Sequence, residues 1–291
     1  MQRERILWWV LAVVAVVFLP GYVIDLLHPG LLHPIRQKVT PVDAASAIAA
    51  LPPGLSNGEK YNRLFQAGTD FARTNKRNEA IANFEAAEQA AQQLAERKDE
   101  SLREVRGWLA SQYEVTERYP ETEAVYNRML DSLRETASDY DINFGSDYEW
   151  LSMIRGRESN WPGVEESSRQ AIDAYDKTIR HFEGMEDPSH TLDSAHFGKA
   201  MSLFRLANAY GQEGKMDFAV YTADQAFLYL TEVNANQQGM LKLFATLGMQ
   251  LATKAQDQDA IATWRERLDK LQNVPDGTSS GIKVFRLPPP R

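Results

Sequence analysis

Five times along this chain a small residue is followed twelve positions later by another small or β-branched one: Gly68/Ala80, Ala110/Thr122, Ser152/Val164, Ala207/Ala219 and Gly248/Ala260. The pairs begin 42, 42, 55 and 41 residues apart. Small residues are common, so the offset takes its meaning from what recurs with it. Three residues after the first member stand Phe71, Tyr113, Arg155, Tyr210 and Leu251, and sixteen after it stand Phe84, Tyr126, Ser168, Ala223 and Trp264. Stacked helical hairpins need this arrangement: a small residue where two helices touch, and large apolar residues around it. A fixed period of this size marks a repeat array, in which each unit buries its apolar face only against its neighbours and the core is a continuous strip.

The segment from about Glu59 to Gln272 reads as paired amphipathic helices with short connections. The first pair carries Leu64, Ala67, Gly68 and Phe71, then Ala80, Ile81, Phe84 and Ala87; the fourth carries Leu203, Leu206, Ala207 and Tyr210, the turn Gly214-Lys215-Met216-Asp217, then Ala219, Val220, Ala226 and Phe227. In residue type and spacing these units resemble tetratricopeptide repeats. The second unit, with Leu109-Ala110, Tyr113, Tyr119, Glu123-Ala124-Val125-Tyr126 and Arg128-Met129-Leu130, is similar to the longer variant found in kinesin light chains, and the 42-residue spacing suits that variant. In the third unit Arg155 stands where an aromatic is usual. The resemblance implies an all-α fold: a right-handed α-solenoid of about five helical hairpins. The ten residues of the offset would be its packing positions. The longer gap before the fourth unit places extra residues around His181 to His196, as a long inter-hairpin loop or as an extended helix with a bent exit.

A second feature precedes the repeats. Residues Ile6 to Leu19 are uninterrupted apolar, and after Pro20 and Gly21 the run resumes through Ile24 to Asp25. Nineteen residues at about 1.5 Å of rise each match the hydrocarbon thickness of a bilayer. Trp8 and Trp9 near one end and Tyr22 near the other suit the interfaces, Phe18 belongs to the apolar run, and Pro20 would kink the last turn. No small-x-small cleavage site follows, so the sequence predicts an uncleaved membrane anchor and not a signal peptide. Arg3 and Arg5 directly precede the run, which favours a cytoplasmic N-terminus and an exported repeat domain. The expected organisation is an anchor over 1–27, a juxtamembrane segment and linker over 28–58, the repeat domain over 59–272 and an extended tail over 273–291.

No chemistry is legible. With no cysteine there are no disulfides, thiolate metal sites or cysteine nucleophiles. A net charge of −8 argues against a nucleic-acid grip. Carboxylates such as Glu121, Glu123, Glu165 and Glu166 fall at helix starts and on exposed faces, where they complement the helix dipole. His28 and His33 lack carboxylate or cysteine partners, while His181, His190 and His196 cluster in sequence near Asp187 and Asp193, the one stretch that offers a minor alternative of a metal or cryptic enzymatic site. The expectation is a non-enzymatic protein with no cofactor and no metal.

Repeats of this kind offer surface. In the register above, the first helices of the hairpins would line the inner curve with Phe65, Arg73, Arg157, Met201, Phe204, Arg205, Asn208 and Met249, anchors suited to a peptide or helix. Family members that grip a C-terminal carboxylate carry Lys and Asn where Phe65 and Thr69 stand, so tail-gripping is not implied. The sequence therefore points to a membrane-anchored scaffold: an accessory or stabilising subunit of a respiratory, photosynthetic or translocation complex, with protein partners and with lipid around its N-terminal helix. The alternative is a tethered assembly factor or chaperone that binds clients transiently.

Overall fold

The computed structural model describes residues 43–186, 190–233 and 237–272. The chain divides into two units, Met1–Pro41 and Val42–Arg291, and every described residue lies in the second. The apolar run with Trp8, Trp9, Phe18, Pro20 and Tyr22 and the tail over 273–291 lie outside the described residues. Among the described residues no helix is long and apolar enough to cross a membrane.

All described elements are helices. A short helix, α1 (Ala44–Ala49), precedes five hairpins: α2 (Asn57–Arg73) with α3 (Arg77–Ala91), α4 (Lys98–Val115) with α5 (Tyr119–Thr136), α6 (Ile142–Arg157) with α7 (Trp161–Phe182), α8 (Thr191–Gln212) with α9 (Met216–Val233), and α10 (Gln238–Ala255) with α11 (Gln258–Gln272). Within the segment read as linker, α1 packs on α3 and buries Ala47 in the first apolar core.

Local chemistry sets the helix ends. Ser56 and Glu59 form a reciprocal capping box at the start of α2, satisfying two backbone donors that the helix cannot. The carboxylate of Asp141 accepts from Asn143 N at 2.8 Å, Asn160 Oδ1 from Gly163 N at 3.1 Å and Asp257 Oδ1 from Ala260 N at 3.0 Å. Pro120 and Pro162 sit in first turns, where no N–H is missed.

The turn inside each hairpin is closed in one way five times. A backbone N–H reaches back five residues to a carbonyl: Lys76 to Phe71, Arg118 to Tyr113, Asn160 to Arg155, Lys215 to Tyr210 and Asp257 to Ala252. The residue before each donor is left-handed: Asn75, Glu117, Ser159, Gly214 and Gln256, with φ of 61°, 59°, 58°, 78° and 58°. This is the Schellman closure of a helix end. Glycine, its usual occupant, is present only in the fourth hairpin, so the turns carry little signal in sequence. The fifth closure falls one residue later in its register, on Ala252 where the other hairpins would place Leu251.

All ten residues of the twelve-residue offset are buried. A Cβ on Gly68 would lie 2.7 Å from the Phe84 ring, and one on Gly248 within 2.5 Å of the Trp264 indole. These aromatics stand sixteen positions after the glycines, on the second helix of the same hairpin. Thr122 and Val164, the β-branched members of the set, are 0% and 3% exposed. Thr122 fits because its hydroxyl turns back on its own helix and donates to the Arg118 carbonyl at 3.0 Å, which leaves no polar atom facing α4. Val164 fits because the facing turn of α6 carries Gly156, where even an added Cβ would stay 3.7 Å from a valine methyl. Bulk on the second helix is thus accepted where the first helix leaves room for it.

The long gap before the fourth unit is taken up mostly by helix: α7 and α8 run 22 residues each, where the other hairpin helices run 15 to 18. The apolar core comes in pieces. One cluster runs from Ala47 to Leu151 and a second from Ala200 to Leu271. Between them lies a small group of Ala171, Tyr175, Ile179 and Ala195.

Candidate interaction surface

Successive first helices lie side by side, and their side chains join them. Tyr61 of α2 donates to Glu104 of α4 at 3.0 Å. Arg103 of α4 donates to both oxygens of Asp147 on α6 at 3.1 Å and to Asn143 at 2.9 Å. Arg157 of α6 pairs with Glu114 of α4 at 3.0 Å. Arg205 of α8 donates to Glu149 of α6 at 2.7 Å. Between α8 and α10 the link is apolar: Phe204 stacks on Phe244 with ring centroids 4.7 Å apart. The row of first helices is thus tied by polar groups over the first four hairpins and by aromatic packing at the last.

The eight residues expected to meet a partner divide by environment. Phe65 is half-buried against Tyr61 and Phe84, at 5.6 and 5.8 Å between centroids. Arg73 is exposed, with Asp70 at 3.8 Å. Met201 and Met249 are half-buried against the second core, and Asn208 accepts from Gln212 at 3.5 Å. Arg157 and Arg205 hold the ion pairs that join neighbouring helices, so their guanidinium groups are committed within the array. Phe204 is a correction. At 4% exposure it is core, because the close packing of α8 on α10 encloses its ring.

Two tryptophans belong on this face, and the register reading omits them. Trp108 of α4 stacks on Phe84 at 5.8 Å and 24°, and Trp150 of α6 stacks on Tyr126 at 6.0 Å and 7°. Both members of the second stack lie 42 residues after their counterparts in the first. Each stack joins the second helix of one hairpin to the first helix of the next, a contact worth about 0.5–1.5 kcal/mol beyond area burial. The signal that could have found them is that spacing, two residues ahead of the small position. Trp108 keeps 38% of its surface exposed. It stands with exposed Gly107, Ser111 and Val115 as a stripe along α4.

Charge on the buried side of these contacts is strained. Asp147 is 2% exposed, and burial pushes its carboxyl up to about 6 against the opposing pull of Arg103. Burial, with Glu104 beside it, raises the Tyr61 hydroxyl, and burial followed by the Glu149 charge raises that of Tyr175. On the second helices Arg267 pairs with Asp224 at 2.6 Å, both buried, and its guanidinium lies 4.3 Å from the Trp264 ring and 4.7 Å from Phe227.

The three histidines of the 181–196 region take separate roles. His181 stacks on Tyr140 with centroids 3.5 Å apart, His196 Nδ1 hydrogen-bonds the Tyr229 hydroxyl, and His190 is exposed beside Asp193. Burial, then the Lys199 charge, lowers the His196 imidazole below its usual value. Among the described residues no group of three or more histidines and carboxylates converges as a metal site.

No protein-family model matches the chain, and no curated protein matches it. Solved structures do. BtubC (BKLC) from P. vanneervenii superimposes with a TM-score of 0.55 at 14% identity, covering 84% of this chain and 98% of that one. A putative kinesin light chain from Podosopora anserina with nearly identical TPR-like repeats gives a TM-score of 0.53 at 15% identity, over 75% of this chain and 97% of that one. A single-substitution form of that protein gives 0.54 at 16%, over 75% and 95%. At such identities the likeness establishes the fold, a tetratricopeptide-type array of helical hairpins.

Proposed function

We propose that this chain is a non-catalytic, membrane-anchored scaffold, a right-handed array of five hairpins held at a bilayer by the apolar run from Ile6 to Ile24. It serves as an accessory or stabilising subunit of a multi-protein membrane complex of respiratory, photosynthetic or translocation type. Its N-terminus is cytoplasmic and the array stands on the exported side. The anchor and its orientation rest on the sequence alone, through the length of the apolar run, its flanking aromatics and Arg3 and Arg5.

The observation that carries the scaffold reading is the row of first helices. Five side-by-side helices make a continuous face, and the aromatic and thioether groups on it (Phe65, Trp108, Met201 and Met249) are of the kind that dominate protein contacts. Arg73 and Asn208 add polar contacts. Arg157 and Arg205 shape the face by bracing neighbouring helices.

The test is extraction of the intact chain from its native membrane in mild detergent, followed by native separation and identification of what co-migrates. A scaffold subunit requires detergent for release and migrates with a partner protein in fixed ratio, and Trp108→Ala weakens that retention while leaving helix content unchanged. A chain released by salt alone, or one that migrates free, refutes the reading.

A further inference from the structure

We propose that the outward face of α11, the last described helix, is a docking site for this chain's own C-terminal segment, Ile282-Lys283-Val284-Phe285-Arg286-Leu287, which lies where a sixth hairpin would. The segment itself lies outside the described residues. Its docking is independent of the scaffold role and of the membrane anchor.

The second helix of a hairpin turns one face to the hairpin that follows, as the stacks of Phe84 on Trp108 and Tyr126 on Trp150 show. In the fourth hairpin that face is Val220, Ala223, Phe227 and Leu230, at 13, 16, 20 and 23 residues past Ala207. It packs against the fifth hairpin, and none of the four is more than 5% exposed. The same offsets from Gly248 give Ile261, Trp264, Leu268 and Leu271, again all apolar. Terminal units of repeat arrays need a polar outer face to stay soluble, and α11 instead repeats the face of a helix that receives a neighbour. Among the described residues no element follows α11 to cover it. Leu271 is buried, and Trp264 is buried with the Arg267 guanidinium 4.3 Å from its ring, but Ile261 and Leu268 remain half-buried. These two stand two helical turns apart, about 10 Å, on the same side.

The register brings the segment to this face. Between each second helix and the next first helix the chain spends 6, 5, 8 and 4 residues. After α11 come nine, Asn273 to Gly281, rich in turn formers (Pro275-Asp276-Gly277 and Ser279-Ser280-Gly281), and then four apolar side chains within six residues. Apolar residues thus return at about the point where the earlier hairpins carry their next helix across the face. Pro288, Pro289 and Pro290 bar a long helix there. Six extended residues reach about 20 Å, close to the length of about 22 Å for the 15 residues of α11. Charge agrees. The exposed charges of α11 are Asp259, Glu266 and Asp269 against Arg265, whereas 273–291 carries Lys283, Arg286 and Arg291 against Asp276. Attachment directly to the helix it covers gives the segment a high effective concentration, so a contact of modest size suffices.

The test is amide hydrogen exchange on the purified full chain in detergent micelles, with a free peptide of residues 273–291 in the same micelles as reference. Docking slows exchange over 282–287 by about 10-fold or more relative to the peptide, at any protein concentration. Val284→Asp with Phe285→Asp returns the segment to the peptide's rate and speeds exchange in α11 while leaving α2 to α5 unchanged. Leu268→Asp frees the segment from the other side, with helix content checked by circular dichroism; if that variant loses helix, the tail variant alone decides. A wild-type segment exchanging at the peptide's rate would overturn the proposal and leave the face to a partner protein. Protection that survives Leu268→Asp in a folded chain, or α11 exchange unmoved by the tail variant, would overturn it too. Protection that falls on dilution would also overturn it, and would assign the face to a second copy.

Discussion

Replacing Gly248 with alanine sets two opposing effects against each other. Within a helix the exchange gains about 0.9 kcal/mol, because glycine has more backbone freedom to lose. Against it stands Trp264. The new methyl would sit within 2.5 Å of the indole, and that ring has no room to yield. It is 0% exposed, with Phe227 set edge-on at 5.6 Å and the Arg267 guanidinium 4.3 Å from it. Overpacking of this kind costs about 1–3 kcal/mol, and the enclosed site argues for the upper end. The net is a loss of about 2 kcal/mol, or about 4–8 °C in Tm for an array of this size. Gly107 is the control: it is mid-helix in α4, exposed, with nothing within 4 Å of its added Cβ. There only the propensity gain operates, so Gly107→Ala raises Tm by about 2–4 °C. The assay is thermal unfolding followed by circular dichroism at fixed pH and salt. A Gly248→Ala protein as stable as the wild type, or two variants shifting in the same direction, would show that the small position is not set by the aromatic opposite it.

Three further outcomes follow from the same structure. Asp147, raised to about 6 by burial against about 3.9 in an unfolded chain, holds a proton in the folded state over a range where the unfolded state does not. Stability from this group therefore rises as pH falls from about 6 to 4, by about 3 kcal/mol at most. Urea unfolding of wild type and Asp147→Asn across that range should show the wild type gaining on the variant; a constant difference would refute it. Glu117 is left-handed at φ 59°, which costs a side-chain-bearing residue about 1–2 kcal/mol, so Glu117→Gly should stabilise by about 0.5–1 kcal/mol after the flexibility it adds to the unfolded chain, while Gly214→Ala should destabilise, both read as urea midpoints. Phe204→Ala should cost about 3–5 kcal/mol of stability, since its ring is core; a loss of partner retention without loss of stability would return Phe204 to the interaction face.

Much of the architecture was legible along the chain because helical hairpins impose strict spacing. A helix brings residues three and four apart onto one face. A hairpin then fixes the distance from the small residue of one helix to the residues opposite it on the next. That is why Gly68 and Phe84, or Gly248 and Trp264, could be paired by counting, and why helices in a row were to be expected. Counting also carries over to Trp108 and Trp150, whose 42-residue separation is visible once sought. It fails where geometry is set by backbone conformation without a dedicated residue. The left-handed closures at Asn75, Glu117, Ser159 and Gln256 have no glycine to announce them.

What lay beyond the sequence is which side chains the packing consumes. Phe204, Arg157 and Arg205 share the register of residues that face outward, but burial depends on how closely the next helix approaches. That distance is set jointly by side chains from several hairpins: Phe244 encloses Phe204, Glu149 takes Arg205 and Glu114 takes Arg157. Thr122 and Val164 show the same dependence from the other side, since the space that admits their branched side chains is left by the facing helix. The break in the core is of the same kind. Ser152 and Ser168 look like weak copies of the repeat in one dimension. The count that pairs Gly68 with Phe84 pairs them too, and only the packed structure shows that their hydroxyls hydrogen-bond at 2.9 Å, because a period records where residues recur and not what each one meets.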